Sequence, residues 1–204
     1  MVSIYSALCA FLPSLIYLII KDRKEKKFYL ICILLFIIYV WMVYRVTGAG
    51  GLTDIIYAPE GGINNSIIRA NINLIPFSNG IGITFYLNII MCIPLGFLLP
   101  FIWKEYRKIY KTLLLGAGFS LLIEVSQLIT TRATDIDDLI ANTIGAVIGY
   151  FIWMVFNKIF KKHFKDGLGG NRGPIIYIVL SFLGMFFLYF PFWFAFNIEP
   201  ILFN

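Results

Sequence analysis

Charge is scarce in this sequence. Only 14% of its 204 residues are Asp, Glu, Lys or Arg, against about 25% in an ordinary soluble domain. Histidine is limited to His163. With 60% of residues hydrophobic and gathered in long runs, there is too little polar surface to wrap a soluble core. The three cysteines, Cys9, Cys32 and Cys92, each fall inside an apolar run without paired spacing. This excludes a disulfide framework and a cysteine metal site. No Ser/His pair can share one side of a membrane. Gly48-Ala49-Gly50-Gly51 leads into no helix of the kind a phosphate loop requires. No cofactor is expected. Residues 1–20 lack a basic leader and a small-residue cleavage site, so they read as a retained first span.

What the chain has is apolar length. Six runs, at about 3–20, 28–46, 81–103, 111–130, 138–160 and 174–196, each match the roughly 20 residues of a membrane-spanning helix. The expected fold is all-α, a polytopic helical transmembrane bundle forming a single domain over 1–204. The net charge of +6 is confined by its placement. Links 21–27, 104–111 and 158–173 hold fourteen of the seventeen Lys and Arg residues, leaving Arg45, Arg69 and Arg132. By the positive-inside rule these links are cytoplasmic and both termini extracytoplasmic. Of the acidic residues, Asp54, Glu60, Glu124, Asp135, Asp137, Asp138 and Glu199 fall on the outer side. Basic links beside lipid headgroups predict membrane lipids, and no nucleic acid, as partners. Aromatic belts are expected at the interfaces, with Tyr189, Phe190, Phe192, Trp193 and Phe194 outside and Trp103 and Trp153 toward the inside.

The external loop 47–80 is too long for a bare connection. Its segment 67–77 is apolar enough to lie in the outer interface or fold back over the bundle.

Within the spans, a few polar residues stand out. Glu124 lies roughly 9 Å from the outer end of its run, where a charged group costs up to about 2.5–3.5 kcal/mol unless it faces the bundle. Gly116, Ser120, Glu124, Gln127 and Thr131 follow helical steps and form one stripe. Asp138, Asn142, Gly145 and Gly149 form another on the next span. The GxxxG pair within it predicts a close helix approach. The two stripes are expected to pack on each other, setting Glu124 and Gln127 beside Asp138 and Asn142. Asp135 or Thr134 is placed to cap the fifth span. Asn88 and Pro94 add an amide and a kink on the third. Arg45 and Arg132 are the cations available to the cluster.

Several chemistries fit such a cluster. Neighbouring carboxylates can divide protonation between them for acid–base work on a lipid-linked substrate, with Glu124, Asp137 and Asp138 as the catalytic candidates. Arg45, Asn88, Glu124, Gln127, Arg132, Asp135, Asp137, Asp138 and Asn142 can bind a polar ligand. A divalent cation on Glu124, Asp135 and Asp138 has the right donor type but no standard loop spacing. A polar network that merely locks the spans together competes with all of these. An ion or proton pathway needs further polar residues in the inner halves of the spans, and the sequence has few.

These residues also carry a resemblance. Asn73-Leu74-Ile75-Pro76-Phe77 precedes Asn88 and Pro94-Leu95-Gly96-Phe97. Ile123-Glu124 with Gln127, then Arg132 and Asp135-Ile136-Asp137-Asp138, then Asn142 and Gly145, complete the pattern. Over about residues 36–160 this resembles the VanZ-like family of bacterial membrane proteins. The resemblance implies a multi-pass protein of the bacterial cytoplasmic membrane and a link to resistance against teicoplanin. A glycopeptide antibiotic or a lipid-linked cell-wall precursor is then an implied partner. It falls on Asn88, Pro94, Glu124, Gln127, Arg132, Asp135, Asp137, Asp138 and Asn142, and leaves the first and last spans outside. Whether the protein is an enzyme stays open.

Overall fold

The computed structural model describes residues 2–22, 24–56, 72–78, 80–130, 132–160, 167–170, 172–191 and 194. The expectations for Arg69, His163, Phe192, Trp193 and the middle of the long loop lie outside these residues.

Helix α1 (Val2–Tyr17) runs into a π-turn over Leu18–Asp22, and α2 (Lys27–Thr47) follows. A short α3 (Leu52–Ile56) and strand β1 (Ile72–Asn73) come next. Then come α4 (Ile83–Ile102), α5 (Ile109–Gln127), strand β2 (Thr134–Asp135), α6 (Ile136–Phe160) and α7 (Gly173–Leu188). Five helical stretches, Val2–Lys21, Lys27–Ile56, Ile83–Ile102, Ile109–Gln127 and Ile136–Phe160, are long and apolar enough to cross a membrane. The 16 residues of α7 span about 24 Å, less than the hydrocarbon thickness of about 30 Å. This helix is apolar but shorter than the run 174–196 suggests, because it ends at Tyr189, where the backbone is extended.

The helices are apolar on the outside. On α1, Ile4, Leu8, Leu12 and Ile16 are between 51% and 60% exposed, while Ser6, Ala10 and Ser14 are fully buried. Water would impose the reverse. Lipid accepts the leucine face, and the small and polar face packs inward where its hydroxyls find partners. Ser14 meets Ser181 of α7 at 2.9 Å, and Gly184 lies against the Cys9 carbonyl so closely that a Cβ would overlap it.

The most extensive helix contact is between α4 and α6, which run parallel. Asn88 faces Asp138, Cys92 faces Asn142 and Gly96 faces Ala146, a constant offset. A Cβ on Gly145 would strike the Ile89 carbonyl, one on Gly149 the Ile93 carbonyl, and one on Gly96 the Ala146 carbonyl. The GxxxG pair therefore packs on α4 rather than on α5, where the two stripes were expected to meet. Helix α5 still lies against α6, through Gly116 at Ala146 and Ser120 at Asn142. Thus α6 is held between α4 and α5. It offers glycines to the first and shares the Asn142 amide between both. Small residues announce a close approach but do not say to which neighbour.

Beyond the parallel helices the chain pairs again. Strands β1 and β2 form a parallel two-stranded ladder, Ile72 with Thr134 and Asn73 with Asp135. This ties the end of the long loop to the start of α6, at the end of the bundle that carries the acidic residues. At the opposite end Trp103 is only 2% exposed, packed edge-on against Phe36 and tilted on Tyr177. It is a core residue there and not part of an interfacial belt. Leu168 returns to bridge it, with Lys104 N–H donating to the Leu168 carbonyl.

Candidate functional site: a polar cavity between four helices

Glu124 sits one turn before the end of α5 and is 5% exposed. Its Oε2 accepts the backbone N–H of Asp135 at 3.2 Å. The link between α5 and α6 is thus folded back on the carboxylate it follows. Asp138, in the first turn of α6, accepts a hydrogen bond from Asn88 Nδ2 at 2.6 Å, short for an amide N–H on a carboxylate. One turn on, the buried Asn142 donates to Ser120 Oγ at 2.9 Å and accepts from Cys92 Sγ at 3.3 Å. An amide between two helices needs both a donor and an acceptor in the dry interior, and here α4 and α5 supply one each.

Gln127 closes the α5 side. Its Nε2 donates to the Thr47 carbonyl at 2.7 Å, and Arg132 Nη1 donates to the same oxygen at 2.8 Å. Thr47 is the last residue of α2, where carbonyls lack helical partners. The helix ends on Gly48 in the left-handed region, φ +64°. The Arg132 guanidinium lies over that glycine, where a Cβ would collide with it. Gly48 is thus fixed twice, by its backbone angle and by the cation above it.

These side chains bound a cavity of about 380 Å³. It is lined by Val46 and Thr47 of α2, Thr84, Leu87 and Asn88 of α4, Ile123, Glu124 and Gln127 of α5, Arg132 and Ala133 of the link, and Asp138 and Asn142 of α6. Six of the residues singled out in the sequence therefore share one space: Asn88, Glu124, Gln127, Arg132, Asp138 and Asn142. Asp135 and Asp137 stand beside it. Asp135 Oδ1 accepts the Asp137 N–H, the pattern of a helix N-cap, and its Oδ2 accepts from Asn73 Nδ2. Both oxygens of Asp137 accept the Phe77 N–H. These two carboxylates hold the returning loop. Phe77 is the only non-glycine residue with positive φ among the described residues, at +58°.

Arg45 is placed elsewhere. It donates to Tyr189 Oη and Ser3 Oγ, in the seam between α1 and α7. A helix end offers its final side chains to different neighbours, and Arg45 faces away from the cavity. Arg132 donates to the carbonyls of Val46 and Thr47. Neither arginine pairs with a carboxylate of the cluster among the described residues. Nor is any group of three or more His, Cys, Asp or Glu among them placed to hold a metal ion. The Thr47 carbonyl, a backbone atom, carries no signal in the sequence. Asn73 opens the Asn73–Phe77 segment of the resemblance, but its part at the site shows only once β1 sets it beside Asp135.

A bundle of long apolar helices that keeps two carboxylates, three amides and a guanidinium around one cavity is a multi-pass membrane protein with an internal polar site. The family model described as VanZ/LLP1 matches residues 26–157, and the chain belongs to that family. The match takes in α2 to α6, hence every wall of the cavity, and leaves out α1 and α7. No curated protein and no solved structure matches the chain.

Proposed function

We propose that this protein acts in the bacterial cytoplasmic membrane, with the cavity facing the outside, and lowers susceptibility to teicoplanin-like glycopeptide antibiotics by binding a polar component of the envelope. The observation that carries this is the convergence of Glu124, Asp138 and Gln127 on one space bounded by four helices. Membership of the VanZ/LLP1 family supports the antibiotic connection. The concentration of fourteen of the seventeen basic residues in three links of the sequence supports the orientation. The volume of about 380 Å³ lies in the range of small-ligand pockets. A glycopeptide is far too large to enter it, so protection acts through a smaller ligand.

An enzyme acting on a lipid-linked cell-wall intermediate is the second reading. It is favoured by Glu124 and Asp138 lining the same cavity, since a pair of carboxylates can share acid and base roles. Comparing cell-wall precursors and lipids with and without the protein separates the two: binding alone leaves the chemical species unchanged.

The test of the first reading is susceptibility. Cells carrying Glu124→Gln, Asp138→Asn or Arg132→Ala at wild-type abundance are expected to lose protection against teicoplanin. Full protection in all three variants contradicts the proposal.

A further inference from the structure

The cavity has a chemical bias. Glu124 and Asp138 bring carboxylate oxygens to it, each with one donor among the described residues. Gln127 is 6% exposed, and its Oε1 has no hydrogen-bond partner among the described residues. The amide cannot simply turn over, because its Nε2 is held by the Thr47 carbonyl and reversal would set oxygen against oxygen. A buried acceptor left unpaired is destabilising, and buried carboxylates are ordinarily paired with cations. The missing counterpart is a cation that also donates hydrogen bonds.

We propose that the occupant is a membrane lipid whose headgroup carries a primary ammonium beside a phosphate, as in ethanolamine-type lipids. This rests on the reading of the cavity as a binding site. A primary ammonium has three N–H donors and no acceptor, matching Glu124, Asp138 and Gln127. Arg132 is exposed at the same cavity and its guanidinium carries five donors. It suits the neighbouring phosphate. The lipid source follows from the wall. Val46 and Leu87 line the cavity yet are 67% and 55% exposed. Ile83 and Ile90 extend that exposed apolar surface along α4, where acyl chains would lie.

The experiment uses the full chain in detergent, incubated with an equimolar mixture of phosphatidylethanolamine, phosphatidylcholine and phosphatidylglycerol of identical chains. Retained lipid is read by native mass spectrometry. Phosphatidylethanolamine is expected to be retained about tenfold over phosphatidylcholine, which has the same net charge but no N–H donors. Glu124→Gln and Gln127→Leu are expected to erase that preference. Equal retention of the two by the wild-type protein overturns the proposal, whatever the variants do. Glycerophosphoethanolamine, the headgroup without chains, is expected to compete weakly. If it displaces the lipid at equimolar concentration, the lipid source is overturned. Loss of protection in Glu124→Gln with equal lipid retention overturns the ligand class and leaves the site standing. Protection unaffected by Glu124→Gln counts against the site itself.

Discussion

Gly149→Val is expected to destabilise the bundle by about 3 kcal/mol or more, near the upper end for overpacked interiors. A Cβ at Gly149 overlaps the Ile93 carbonyl and meets the Phe97 nitrogen and the Gly96 Cα at 2.9 and 3.0 Å. These are backbone atoms of α4, so no rotamer change relieves the collision. The two helices must separate along the seam that also holds Asn88 to Asp138. The cavity loses two of its walls as a unit. The measurement is the thermal midpoint of the detergent-extracted protein, with Gly118→Val as the control. Gly118 has open space where a side chain would project, and its substitution is expected to leave the midpoint nearly unchanged. Equal midpoints for the two variants would show that α4 and α6 are not in contact at Gly149.

The second large effect separates stability from function. Asn88→Leu removes the donor 2.6 Å from Asp138 and leaves a half-buried carboxylate against leucine. Hydrogen bonds to charged groups contribute about 1.5–3 kcal/mol, and an uncompensated buried charge costs more. The double variant Asn88→Leu with Asp138→Leu replaces both partners by apolar groups, which is often nearly neutral. The double variant is expected to recover most of the lost midpoint while protection against teicoplanin stays lost. If the polar cluster were only a lock between helices, recovery of the fold would restore protection as well.

Much of this was legible in the sequence, though unevenly. Hydropathy places the long helices, because lipid requires an unbroken apolar stretch and interrupts it only at function. Helix α2 occupies Lys27–Thr47 where the apolar run is 28–46. Helical steps gather Glu124, Gln127, Asp138 and Asn142, and Asn88 and Arg132, singled out with them in the sequence, line the same cavity. Pairing was not legible. Gly145 and Gly149 demand a close neighbour, and either α4 or α5 would satisfy them. Only the three-dimensional offset of α4 against α6 decides for α4. Arg45 and Arg132 look equivalent as cations for the cluster. Yet Arg45 turns to Tyr189 and Ser3, while Arg132 is drawn to the open carbonyls at the end of α2. Trp103 has the composition of a belt residue and is buried instead, because Leu168 and Tyr177 cover it. Strands of two residues, β1 and β2, leave no periodicity to detect, although they fix where Asp135 and Asp137 point.

In the proposed orientation this cavity opens to the outside of the cell. Thr84 lines it and is exposed on α4, and the three native cysteines are buried. Thr84→Cys can therefore be labelled in intact cells with a membrane-impermeant maleimide, with Lys108→Cys at the basic end as its counterpart. Labelling of Thr84→Cys in intact cells, and of Lys108→Cys only after the membrane is opened, is the predicted result. Labelling of Lys108→Cys in intact cells with Thr84→Cys protected until the membrane is opened would contradict it.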